Sequence, residues 1–89
     1  MTGKRISEQQ VKVMAVFTAV PNGWFDSSEI ERKTGLPGST VRHFLFTLFK
    51  LGLLARVETH GGYRYRLSPE AKTQPYWERL QEAAAAMKP

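Results

Sequence analysis

Apolar positions along this chain follow helical spacing, switch to alternation after Gly52, and return to helical spacing near Tyr76. The first helical stretch, VKVMAVFTAV, places Val11, Met14 and Ala15 on one face and Val13, Phe17 and Val20 on the opposite one. A helix apolar nearly all round is buried on more than one side. Either a small domain wraps it, or one face packs on the core while another meets a second subunit. Ser7 with Gln10 has the spacing of a capping box, and Ile6 with Val11 that of its hydrophobic staple, so this helix is expected over residues 8–20.

Pro21, Asn22 and Gly23 end that helix, and Trp24 and Phe25 are candidates for a very short strand. Asp26 and Glu29 form a second capping box with Phe25 and Ile30 as staple, which predicts a helix over residues 27–34. Gly35 supplies the left-handed residue that stops it, Leu36 can fold back on Ile30, and Pro37 suits the first turn of the next helix. That third helix, residues 37–51, gathers Val41, Phe44, Leu45, Leu48, Phe49 and Leu51 into a core stripe. Ser39, Arg42, His43, Phe46 and Lys50 lie opposite, with Thr40 and Thr47 at the edge. Gly52 closes the helix and Leu53 is the apolar residue of its cap. Two helices joined this tightly make a helix-turn-helix.

Residues 54–67, LARVETHGGYRYRL, are expected to form a β-hairpin. A three-residue loop, His60-Gly61-Gly62, would set Glu58 opposite Arg64 and Val57 opposite Tyr65, with Val57, Tyr65, Ala55 and Leu67 sharing a face. A two-residue loop mixes apolar and charged residues, so the longer loop is preferred. Ser68 and Pro69 then suggest a further helix start, after which Pro75 forces a restart or a bend. Tyr76, Trp77, Leu80, Ala83, Ala84 and Met87 recur at amphipathic helical spacing. The expected organisation is a disordered polar arm at residues 1–6, a domain at 7–71, and a C-terminal helix at 72–89 that can serve dimerisation.

The absence of cysteine from the 89 residues removes disulfides and thiolate metal sites, and His43 and His60 alone make a structural zinc improbable. No apolar run suggests a membrane span or signal peptide, so a cytoplasmic location is expected. Charge is the more telling quantity. Residues 32–66 carry +6 and the remainder −1 of the +5 total, so the whole excess falls on the helix-turn-helix and hairpin. Polyanions become the favoured partners. Neither paired carboxylates, nor a nucleophile beside a base, nor a phosphate loop is present, so no enzyme activity and no cofactor are expected.

In element order the chain resembles the winged helix-turn-helix superfamily of bacterial transcription regulators, an α+β, mostly α fold with a three-helix core, short strand, two-stranded wing and C-terminal helix. The segment EIERKTGLPGSTVRHFLFTLFKLGLL is similar to the DNA-binding segment of IclR-type regulators, with its Thr-Gly-Leu turn, Pro, Ser-Thr-Val and Leu-rich helix ending in Gly-Leu. The wing followed by YRLSPEA also resembles MarR- and PadR-type domains. The likeness spans residues 7–71. It departs at Glu31, where such families usually carry a small residue, so that this side chain must point outward or widen the helix crossing. IclR-type proteins also have a large effector domain for which 89 residues leave no room, so effector sensing is not carried over.

The resemblance implies a regulator that binds double-stranded DNA sequence-specifically, with helix 37–51 in the major groove and the wing on the backbone or minor groove. Candidate DNA contacts are Ser39, Thr40, Arg42, His43, Phe46 and Lys50 on the helix and Arg56, Arg64 and Arg66 on the wing. Arg42 has the chemistry to read guanine bidentately, and Phe46 either packs under the wing or a partner or meets a thymine methyl. A homodimer through Tyr76, Trp77, Leu80, Ala84 and Met87 would predict an inverted-repeat site; a tail that folds back on its own domain is the alternative. The rival function is a winged-helix protein–protein module of a replication, conjugation or phage complex.

Overall fold

Three local stop signals divide the helices of this chain. A computed structural model describes residues 6–86; most of the polar arm, and Met87 of the proposed dimer set, lie outside them. The elements are α1 (Glu8–Ala19), α2 (Ser27–Thr34), α3 (Gly38–Lys50), β1 (Leu54–Thr59), β2 (Gly62–Leu67), a single 3-10 turn (Ala71–Thr73) and α4 (Pro75–Ala86). The fold is a winged helix: three helices, a two-stranded antiparallel wing and a terminal helix, mostly helical.

At α2 the caps form as the sequence dictates. The Glu29 N–H donates to Asp26 Oδ1 and the Asp26 N–H to Glu29 Oε1, each at 2.9 Å, satisfying two donors that a helix start leaves orphaned. Gly35, at φ 75°, ends the helix with its N–H on the Glu31 carbonyl at 2.8 Å. At the far end of α3, Gly52 takes φ 81°; its N–H donates to Phe49 O and that of Leu53 to Leu48 O, both at 3.0 Å, which is a Schellman closure. The closure turns Leu53 and Leu54 into the core, where both are buried.

Val13 and Phe17 of α1, Ile30, Val41, Leu45 and Leu48 form the fully buried centre. Burying each such side chain contributes about 1.5–3 kcal/mol. The Phe17 and Phe25 rings meet edge to face at 5.7 Å. Phe25 in turn exchanges two 2.8 Å backbone hydrogen bonds with Tyr65, so the short strand expected near Trp24 is a single bridge to the wing.

Both faces of α1 are covered from within the chain. Val11 and Met14 pack toward α4, whose Leu80 is 2% exposed. Leu80 is therefore spent on the chain's own core, which removes it from the exposed apolar stripe inferred for the tail. Val20, expected on the apolar face of α1 with Val13 and Phe17, instead stands exposed just past the end of the helix. Ser7 caps α1 by accepting from the Gln10 N–H at 3.1 Å, but the reciprocal half of that capping box is missing. The Gln10 side chain is buried and accepts from the Tyr76 hydroxyl at 2.9 Å, pinning α4 to α1. Tyr76→Phe is expected to cost about 1–3 kcal/mol in urea unfolding, because it strands a buried carbonyl. A change within error would mean that water replaces the bond.

Three further expectations give way. The hairpin pairs Thr59 with Gly62, Glu58 with Tyr63, Val57 with Arg64 and Arg56 with Tyr65, so its loop has two residues and Glu58 does not face Arg64. Gly61 takes φ 101° while His60 keeps a negative φ, the sign pattern of a type II turn. Register is set by the core, since Leu54 must enter it and Tyr65 must meet Phe25; Val57 consequently turns outward, 46% exposed. Leu51, expected in the α3 core stripe, is exposed because the cap bends the chain there. No helix begins at Ser68. Its hydroxyl accepts from the Glu70 N–H in a local turn, Gln74 is extended before Pro75, and α4 restarts at that proline.

Candidate nucleic-acid interface

α3 is held by its buried stripe of Val41, Leu45 and Leu48, and this fixes what the opposite face presents. Ser39, Arg42, His43, Phe46 and Lys50 are all exposed on it, while Thr40 is half-buried at its edge. His43 leans edge-on against Phe44 at 5.3 Å. Phe46 is 51% exposed, with the Lys50 ammonium 5.7 Å from its ring centre. An exposed aromatic thus sits within a row of hydrogen-bonding and cationic side chains.

The departure at Glu31 is accommodated by a glycine. A Cβ on Gly38 would come within 2.9 Å of Glu31 Oε2 and 3.1 Å of Arg42 Nη1. The space that any other residue would fill at the start of α3 is taken by a carboxylate and a guanidinium of opposite charge. Glu31, half-buried, thus reaches from α2 to the start of α3, where its carboxylate and the Arg42 guanidinium flank Gly38.

The three wing arginines differ from one another. Arg64 is exposed near the tip and lines an open cleft of about 450 Å3 with Asp26, Ser27, Ser28 and the turn residues His60, Gly61 and Gly62. Arg66 is half-buried with its guanidinium 5.3 Å from the Trp24 ring. Arg56 is half-buried between two rings, 4.2 Å from the centre of Phe49 and 4.1 Å from that of Tyr63. No periodicity in the sequence signals this stack, because it depends on the two-residue loop that brings Tyr63 onto the same face as Arg56. Tyr76, Trp77 and Ala84 of the tail are half-buried on the far side of α1 with Leu80 beneath them. Among the described residues no three His, Cys, Asp or Glu gather as a metal site, and no helix is long and apolar enough to cross a membrane.

Comparison with known proteins bears on the same surface. The IclR helix-turn-helix domain matches residues 11–58, more than half of the chain and inclusive of α2, α3 and all but the last residue of the first wing strand. A comparison with curated protein sequences gives no match. Among solved structures, a protein of Methanosarcina mazei Go1 described as a "possible transcriptional regulator" superposes with a TM-score of 0.70 at 21% identity, over 91% of this chain and 69% of that one. The ST1889 protein of Sulfolobus tokodaii superposes at 0.69 with 26% identity, over 92% and 80%. A MarR-family transcriptional regulator of Silicibacter pomeroyi does so at 0.69 with 20% identity, over 91% of this chain and 53% of its own.

Proposed function

Since this chain belongs to the IclR helix-turn-helix domain family, a DNA-binding domain of transcription regulators, we propose that α3 enters the major groove and reads base edges while the wing lies on the flanking backbone. The observation that carries this is the exposed row of Ser39, Arg42, His43, Phe46 and Lys50 on a helix whose other face is locked into the core. Arg42 is the base-reading residue, bidentate to guanine; Ser39 and Thr40 serve phosphate or base at the helix start. Phe46 offers its ring to a thymine methyl. Lys50 and Arg64 supply phosphate charge, and the cationic surplus over residues 32–66 steers the approach. The matches offer nothing in favour of the protein–protein module.

Pairing of two copies belongs to the same proposal in its finer part. With Leu80 and Tyr76 engaged on α1, and Trp77 and Ala84 half-buried against the same core, what is left for a partner is the part of Trp77 and Ala84 that stays exposed. A cytoplasmic location is proposed with it, as the compartment in which the DNA lies. We propose no catalytic step.

In vitro selection from a random duplex pool, followed by light scattering at tens of micromolar, tests both parts. An enriched inverted repeat with half-sites about one helical turn apart, and a dimer mass, are expected. A single unrepeated motif with a monomer mass would remove the pairing and keep the readout; no enrichment would remove the readout itself.

A further inference from the structure

The wing is attached to the body unevenly, and Arg56 marks the limit of the attachment. At its base the hairpin is held by buried Leu54, buried Tyr65 and the two backbone hydrogen bonds between Tyr65 and Phe25. Beyond these, β1 is exposed from Val57 to Thr59 and β2 from Gly62 to Arg64. Arg56 is the outermost half-buried residue of β1, and its guanidinium touches both Phe49, in the last turn of α3, and Tyr63, near the tip of β2. One side chain thus bridges the recognition helix and the outer wing. An isolated two-stranded hairpin is marginal in water, so its angle is set by such contacts.

We propose that Arg56 is a positioning residue that clamps the wing to α3 by double ring stacking, and that Arg64 is the wing's phosphate contact. This rests on the DNA-binding reading above. Two ring centres lie 4.2 and 4.1 Å from the Arg56 guanidinium carbon, so that reaching a phosphate would forfeit two ring contacts for one ionic contact. Arg64, in contrast, is exposed beside the tip cleft. The planar delocalised cation is what the site uses: lysine keeps the charge but cannot stack on two rings at once.

The experiment pairs a measurement on the free protein with duplex titrations across salt, for Arg56→Lys, Arg56→Gln, Phe49→Leu and Arg64→Gln. In the free protein, NMR should show the Arg56 side-chain protons shifted upfield by the two rings, with that shift diminished in Phe49→Leu. On DNA, Arg56→Lys and Arg56→Gln should weaken binding equally, by roughly threefold to tenfold, with the salt slope unchanged. Adding Phe49→Leu to Arg56→Lys should cost nothing more. Arg64→Gln should lower the salt slope by about 0.9. Wild-type binding by Arg56→Lys together with a reduced slope in Arg56→Gln would make Arg56 a phosphate ligand and overturn the proposal. Absence of the upfield shift would overturn it as well. Because the shift is read without DNA, a protein that binds no duplex would fail the functional reading while leaving the stack separately decided.

Discussion

Replacing Arg42 with alanine is expected to weaken binding to the selected duplex by about 1–3 kcal/mol, the range for a bidentate arginine–guanine pair, and to relax preference at the base it reads. Its guanidinium is exposed at the start of the second turn of α3, beside the space that Gly38 leaves open and near the Glu31 carboxylate. Loss on scrambled duplex should be smaller, since only one phosphate-range charge disappears there. Equal loss on selected and scrambled duplexes would reassign Arg42 to the backbone. Arg42→Lys should recover the nonspecific component and little of the preference, because an ammonium cannot present two parallel donors.

Phe17→Ala is expected to have the largest effect on stability, about 3–5 kcal/mol in urea unfolding. The side chain is fully buried, and its edge-to-face contact with Phe25 continues through the Phe25–Tyr65 bridge into the wing base. Against the total of about 5–15 kcal/mol usual for a domain, that loss leaves little. DNA binding should fall only with the folded fraction, because Phe17 touches nothing on the α3 face. Val20→Ala is the matched control: at 47% exposure it should stay within about 0.5 kcal/mol. A Phe17→Ala protein as stable as the parent would show that the core collapses around the gap.

What the sequence makes legible is what short-range chemistry decides. The Asp26–Glu29 box, the Gly35 turn and the Gly52–Leu53 closure each depend on residues within five positions of one another, and the two helices and their core stripe follow from them. The row from Ser39 to Lys50 was legible for the same reason, as the complement of that stripe. The hairpin register was not. Local pairing favours Glu58 opposite Arg64, but the register obeys Leu54, Phe25 and Tyr65, which are far apart in sequence, and the charged Arg56 on the inner face is made tolerable by two rings. Gln10 and Tyr76 are separated by 66 positions, and no spacing rule connects a capping residue to a tail hydroxyl. The same contact explains why the tail looked more apolar and free than it is: Leu80 has its partners on α1. At Glu31 the larger side chain is accommodated because Gly38 has no Cβ to meet its carboxylate, a contact between residues that no local spacing rule joins.

The central claim, that α3 and the wing together bind duplex DNA through base readout added to phosphate charge, is tested most directly by anisotropy titration of the selected duplex and a scrambled one across salt. The expected result is a linear fall of log K with log salt, steep for both duplexes, with the selected duplex bound more tightly throughout and the gap largely closed by Arg42→Ala. No binding at the lowest salt, or binding indifferent to both salt and sequence, would contradict it.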